Sequence, residues 1–168
     1  MMESKYLILA GVVLVGFISY YFFLRPKNDS NVVEKPVADK SSLALQLQAY
    51  ERLILLVDRI TINHLVGRIS YEGLTAREMQ LVLTRSIRDE FDYNITQQIY
   101  VTPETWNAVR SLKEKNLLII NQVAALLPSG ASGLDLNRAL LEYLVQDDKA
   151  NLHELVSEAL SFEAKKLL

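Results

Sequence analysis

The most apolar stretch of the chain is the run at positions 6–24, YLILAGVVLVGFISYYFFL, which contains no charged side chain. As a helix rising 1.5 Å per residue it would extend about 28 Å, close to the roughly 30 Å hydrocarbon core of a bilayer. It ends in side chains that are typical of a membrane–water interface: Tyr20, Tyr21, Phe22, Phe23, Arg25 and Lys27. The pattern therefore predicts one transmembrane helix within an N-terminal membrane anchor of residues 1–24, with the lipid bilayer as its partner.

A cleaved signal peptide is the alternative interpretation of this run. Signal peptides have an apolar region of about 7–15 residues, followed by a small-x-small cleavage site. Here the apolar run is longer and continues into FFLRPK without such a site. The sequence therefore favours a single-pass anchor that stays in the membrane.

Positive charges near the ends of a span favour the cytoplasmic side of the membrane. Lys5 precedes the run, whereas four basic residues follow it: Arg25, Lys27, Lys35 and Lys40. We therefore expect the C-terminal part of the chain to lie in the cytoplasm. Residues 25–41 are rich in Pro, Asn, Asp, Ser and Lys and show no apolar period, which predicts a flexible juxtamembrane linker.

From residue 42 onward, apolar residues recur every three or four positions, as on the buried face of amphipathic helices. The positions that carry this period are Leu43, Leu47, Tyr50, Ile54, Val57 and Ile60; Met79, Leu83, Ile87 and Phe91; Trp106, Val109, Ile120, Val123 and Leu127; Leu136, Leu140 and Leu144; and Leu152, Leu155, Val156, Ala159 and Leu160. Strand-like alternation is confined to the short stretch 99–101. The sequence predicts an all-α fold, with a compact, soluble domain of five or six helices at residues 42–168.

Capping residues mark where these helices should begin and end. We expect Thr61 to cap a short second helix at about 63–69 and Gly73 to follow its end. Thr75 and Glu78 form a capping box, and Thr102 precedes a proline at the first position of a helix. Further signals are the stop at Pro128 and the cap formed by residues 132–135.

Composition removes several classes of function. The chain has no cysteine and only two histidines, His64 and His153, which leaves too few ligands to predict a metal site. It also lacks a glycine-rich phosphate loop and a nucleophile elbow, so no catalytic or cofactor-binding residue is assigned and no cofactor is expected. The net charge of −2 and the scattered basic residues argue against a nucleic-acid partner.

Two features of the helical domain are candidate sites. Arg85 and Arg88 each stand four residues before a carboxylate, at Asp89 and Asp92, which predicts ordinary surface ion pairs rather than an acid–base pair. The polar and aromatic segment between two long helices is a candidate surface for a partner protein, through Gln97, Gln98, Tyr100 and Trp106. The alternative for Trp106, which we favour, is a core residue in phase with the buried face of its helix.

The blocks LQAYERLILLVDRI at 47–60, QQIYVTPETW at 97–106 and FEAKK at 162–166 resemble an uncharacterised family of small bacterial membrane proteins. The resemblance implies one N-terminal span in the bacterial inner (cytoplasmic) membrane and a C-terminal helical domain, and it implies no active-site residues. We expect a non-enzymatic scaffold or adaptor that binds a partner protein at the membrane. The alternative is an enzyme that acts at the membrane surface on a small or lipid substrate.

The anchor can be tested by fractionating cells that express the full chain. Because the run at 6–24 contains no charged side chain, the protein should stay with the membrane through high-salt and carbonate washes and should need detergent for release. Immunoblots of each fraction provide the measurement. Full-length protein in the soluble fraction would contradict the anchor.

Overall fold

The computed structural model describes residues 40–146 and 152–168. Their six α-helices are α1 (Lys40–Ile60), α2 (Ile62–Arg68), α3 (Ala76–Tyr93), α4 (Pro103–Leu126), α5 (Gly133–Gln146) and α6 (Leu152–Lys165). One turn of 3₁₀-helix, Ile95–Ile99, lies between α3 and α4. These residues form no strand, and the expected all-α fold of five or six helices is confirmed for them.

The chain divides into two units between Val37 and Ala38. The predicted span at 6–24, its interface residues and the linker up to residue 39 lie outside the described residues. No helix of the described ranges combines the length and the apolar character that crossing a membrane requires. Because α1 begins at Lys40, the last two residues assigned to the linker belong to this helix.

The core lies where α1, α3 and α4 bring their apolar faces together, with α5 and α6 packed against them. All four positions of the α3 stripe, from Met79 to Phe91, are buried as the periodicity predicts. On α1 the buried face is rotated from the predicted stripe: Leu53 and Leu56 are fully buried, whereas Ile54 is only partly covered. Both faces of this helix carry leucine or isoleucine, so periodicity alone does not select between them.

The predicted stripe of α6 is also partly wrong. Val156 and Leu160 are buried, but Leu155 is 61% exposed and Ala159 is exposed as well. Leu155 and Ala159 are four residues apart and share one face of the helix, so that face points away from the core.

Trp106 closes the connection between α3 and α4. Its side chain is 8% exposed, and its ring centroid lies 5.0 Å from that of Phe91, with the two planes tilted by 33°. Such tilted aromatic pairs stabilise a fold beyond the area that they bury. The interpretation of Trp106 as a core residue agrees with this burial.

The loops before α3 and α5 bind each other through their backbones. Ala76 N–H donates to Ala131 C=O at 2.9 Å, and Gly133 N–H donates to Leu74 C=O at 2.7 Å, which forms an isolated antiparallel bridge. An ideal Cβ on Gly133 would lie 3.2 Å from two backbone carbonyl oxygens, those of Leu74 and Tyr71. A side chain at position 133 would force these carbonyl groups to move by a few tenths of an ångström, so the close approach favours glycine there.

Each of the two bridged helices also carries a capping box. The Thr75 hydroxyl accepts from Glu78 N–H at 3.2 Å, and the Glu78 carboxylate accepts from Thr75 N–H at 2.9 Å. Ser132 and Asp135 repeat this exchange at α5, with distances of 3.2 and 2.9 Å. Both caps follow the sequence prediction.

Thr61 does not act as predicted. It stands at the N-cap position of α2, but its hydroxyl does not cap that helix and instead donates to Val57 C=O at 2.9 Å. The amide of Asn116 on α4 donates to the neighbouring Ile60 C=O at 2.8 Å. Both groups donate to carbonyls in the last turn of α1. No later turn of the helix supplies amide donors for these carbonyls.

The burial of Trp106 predicts a large loss of stability on truncation. Trp106→Ala should lower the free energy of unfolding of residues 38–168 by about 3–5 kcal/mol, because it removes a buried aromatic and leaves a cavity. Urea unfolding followed by circular dichroism measures the change, with exposed Tyr93→Ala as the control. A non-cooperative melt of the wild-type fragment, or a Trp106→Ala variant as stable as wild type, would contradict this description of the core.

The capping boxes predict how stability depends on pH. Hydrogen bonds from the backbone and hydroxyl of Thr75 hold the pKa of Glu78 below its ordinary value of 4.5. Those from Ser132 likewise hold the pKa of Asp135 below 3.8. Because both pKa values are lower in the folded state, this stabilisation is complete above the ordinary values and is lost as the pH falls through the folded-state values.

Combining Glu78→Gln with Asp135→Asn should therefore reduce the loss of stability on acidification. The amides can still bind the cap but cannot titrate in this range. Urea midpoints measured between pH 3 and pH 6 give the slope, and Glu158→Gln on α6 provides a control. An unchanged slope in the double variant would show that the caps do not govern the acid response.

Candidate functional site

The four residues proposed from sequence as a partner surface do not form one exposed patch. Gln97 is 7% exposed and Trp106 is buried, whereas Tyr100 is half-buried and Gln98 is exposed. The 3₁₀ turn instead presents apolar side chains to solvent, with Ile99 72% exposed. Partner binding through Gln98 and Tyr100 stays a prediction.

The carboxylates near the end of α3 have different partners. Asp89 faces Arg85 at 3.6 Å, and both side chains are well exposed, as expected for a surface pair. Within the described ranges, no ion pair joins Arg88 to Asp92. Glu90 turns toward α1, where it accepts a hydrogen bond from Arg59 Nε at 2.7 Å.

A groove of about 820 Å³ runs between α1 and α3, beside the Arg59–Glu90 pair. Leu56 and Ile69 line it at the core. Leu55 and Val82 also line it but face solvent, with exposures of 61% and 39%. The fold therefore leaves an apolar strip uncovered between the two helices.

Arg52 forms one end of the groove and is fixed by two contacts. Its guanidinium carbon lies 5.2 Å from the centroid of the Tyr93 ring, and its Nε donates to Asn94 Oδ1 at 3.3 Å. Asn94 is only 6% exposed and uses its Nδ2 to donate to Glu90 C=O at 2.9 Å. This arrangement orients the Tyr93 ring, which is 76% exposed.

Arginines dominate the electrostatics of the groove. Its lining contains three guanidinium groups, Arg52, Arg59 and Arg85, and two carboxylates, Asp89 and Glu90. Arg59 is held against Glu90, whose side chain is only 19% exposed. Arg85 has an 83% exposed side chain and a longer contact with a solvated carboxylate, so it is the cation with the most freedom to pair elsewhere.

The histidines and acids do not come together in a metal-binding arrangement in the part of the chain that the structure describes, where no three such side chains converge. His64 contacts Asp58, with Nδ1 3.0 Å from Oδ1, on the exposed surface. His153 on α6 is half-buried. What the α1/α3 groove offers chemically is apolar area beside guanidinium groups.

The sequence analysis does not predict this groove. Its solvent-exposed aliphatic residues fall outside the predicted helical period, namely Leu55 in the LILL run at 53–56 and Val82 in the LVL run at 81–83. Apolar residues in excess of the buried stripe were the available signal. The pairing of Glu90 with Arg59, 31 positions away, has no counterpart in the local sequence.

No protein of curated function and no solved structure matches the chain. A family model does match, over residues 2–167, and it describes a family of unknown function. The expected resemblance to a family without an established role is confirmed to this extent. The chain belongs to the DUF7935 family.

Proposed function

We propose that the protein is a non-enzymatic adaptor, tethered to the bacterial inner membrane by residues 6–24, whose α1/α3 groove binds a partner protein. The observation that carries this proposal is the exposure of Leu55 and Val82 beside three arginines in one groove. When a partner covers an exposed aliphatic side chain, apolar surface is removed from water, and this contributes favourably to the free energy of binding. Arginine and tyrosine are also enriched at the energetic centres of protein interfaces.

The chemistry of the groove defines the partner segment. Its apolar strip lies along two helices, so an amphipathic helix with leucine-like side chains at i, i+3, i+4 and i+7 fits it. The excess of one positive charge in the lining favours carboxylates beside those apolar residues. We therefore propose an acidic amphipathic helix of a partner protein as the occupant.

The anchor and the groove have complementary roles in this proposal. If residues 25–39 act as the linker that the sequence predicts, they would keep the helical domain within tens of ångströms of the bilayer. Confinement of this kind raises the effective concentration of the domain for partners in the same membrane. A moderate affinity at the groove then suffices for assembly.

Site-specific photo-crosslinking tests the groove in intact cells. We place p-benzoylphenylalanine at Ser86, which lines the groove, and at Gln122, which is exposed on α4 outside it. After irradiation, Ser86 should give a discrete adduct that Gln122 does not give. Mass spectrometry of the adduct should identify an acidic amphipathic segment.

Matched variants separate recognition from folding. Leu55→Asp and Arg85→Glu should each reduce the Ser86 adduct at least about fivefold, because each removes an anchor of the interface. Leu126→Asp and Arg110→Glu make the same chemical changes at exposed positions of α4 and should leave the adduct unchanged. If the groove variants crosslink as well as these controls, the groove does not bind the partner.

A further inference from the structure

The 3₁₀ turn lies toward the start of α1. Arg59, in the last turn of α1, pairs with Glu90 of α3. Arg52, two turns nearer the start of α1, donates to Asn94, directly after the end of α3. The two helices are therefore antiparallel, and α3 leads the chain into the turn Ile95–Ile99 on the side where α1 begins; this turn also contacts α1.

The end of α6 lies toward the start of α1 as well. Thr61, directly after α1, and Leu152, the first residue of α6, line one small recess. Because α1 and α6 also pack against each other, they are antiparallel, and α6 runs back toward Lys40. We call the end of the domain formed by the first turn of α1, residues 95–99 and residues 162–166 the linker-side end.

Burial within the 3₁₀ turn is the reverse of what water favours. Gln97 is 7% exposed, and its amide donates to the Thr96 hydroxyl at 3.2 Å. Ile95 and Ile99 of the same turn are 43% and 72% exposed. A buried polar side chain and exposed large apolar ones are the informative exceptions to ordinary burial. The combination suits a turn whose outer side meets an apolar medium.

The end of α6 presents an aromatic ring beside two lysines. Phe162 is 60% exposed, and Lys166 Nζ lies 4.3 Å from the centroid of its ring. The same Nζ is 2.6 Å from the Glu163 carboxylate, and Lys165 is exposed. Aromatic rings and lysines occur together at membrane surfaces, because the ring enters the interface while the long lysine side chain keeps its charge among the headgroups.

The linker-side end is also where the chain continues toward the predicted span. α1 begins at Lys40, and residues 25–39 separate it from the apolar run at 6–24. About 15 flexible residues have a mean reach of roughly 20 Å. If residues 25–39 act as the linker that the sequence predicts, the bilayer is the surface that this end meets most often, so even a weak contact becomes populated.

We propose that the linker-side end docks on the lipid bilayer, an inference that rests on the membrane anchor of the proposed function. Ile95, Ile99 and Phe162 insert into the interfacial layer of the bilayer, which removes their apolar surface from water. Lys165 and Lys166 keep their charges among the lipid phosphates. The bilayer thereby covers the isoleucines that the fold leaves exposed.

Single fluorescent labels test this contact, since the chain has no cysteine of its own. The full chain carries the fluorophore NBD at Gln98→Cys, within the turn, or at Ser129→Cys, beside the start of α3 at the opposite end. It is reconstituted in vesicles of equal parts phosphatidylcholine and phosphatidylglycerol, with or without doxyl-labelled lipid as quencher. The quencher should remove most of the emission from position 98 and leave that from position 129 unchanged.

Variants at exposed positions identify the side chains that bind lipid. Ile99→Asp and Phe162→Asp should each lower the ratio of docked to undocked domain at least about tenfold, because each removes a large apolar side chain from the contact. Quenching at position 98 should then be largely lost. Leu126→Asp, the same kind of change at an 85% exposed position at the end of α4, should leave the quenching unchanged.

Flotation of the vesicles separates docking from anchoring. If the chain does not float with the vesicles, the anchor and the docking both fail. If it floats but the label at position 98 resists the quencher, or if either variant at Ile99 or Phe162 is quenched like the wild type, the docking alone is overturned. Emission from position 98 that shifts to the blue without quenching would show that protein covers the turn, which also overturns the proposal.

Discussion

The starts of α3 and α5 hold each other in place, and the rest of the domain depends on this reciprocal contact. The first amides of a helix have no partner within it. Here Ala76 N–H and Gly133 N–H each donate to a carbonyl of the loop that precedes the opposite helix. The relation between α3 and α5 is thereby fixed by backbone atoms. Since α3 forms one wall of the α1/α3 groove, the groove borders a helix whose start is held by this contact.

Several polar groups around the α1/α3 groove already contact one another within the chain. Arg52, Asn94 and Glu90 form one chain of contacts that also presents Tyr93, so these side chains lose little further freedom on binding. Preordered side chains lower the entropic cost of association. Arg85 is different, because it remains solvated. Under the proposal, such a charge would act in the approach of the partner and in the choice between partners. The groove thus combines a rigid end with an adaptable charge.

The features predicted from sequence are those determined within one helical turn. Thr75 with Glu78, Ser132 with Asp135, and Thr102 before its proline all cap as their spacing indicates, because donor and acceptor lie three residues apart. The prediction for Thr61 was wrong, since its hydroxyl could bind forward to α2 or back to Val57, and the exposed end of α1 decided between them. The Arg59–Glu90 pair, the bridge between loops and the α1/α3 groove depend on which helices become neighbours, and no local spacing encodes that. On α1 and α6 the period indicated a helix but not which of two apolar faces would be covered.

The position of Gly133 predicts a pattern in the sequences of the family. A side chain there would meet the carbonyl oxygens of Leu74 and Tyr71 at 3.2 Å and the Cβ of Met79 at 3.3 Å, two of which are backbone atoms that cannot rotate away. In an alignment of family members, glycine should therefore be favoured at this position. Any member with a larger residue there should also carry an altered loop before α3, since the carbonyls must withdraw together. A larger residue at this position together with an altered loop would therefore identify, from sequence alone, members in which the starts of the two helices are arranged differently.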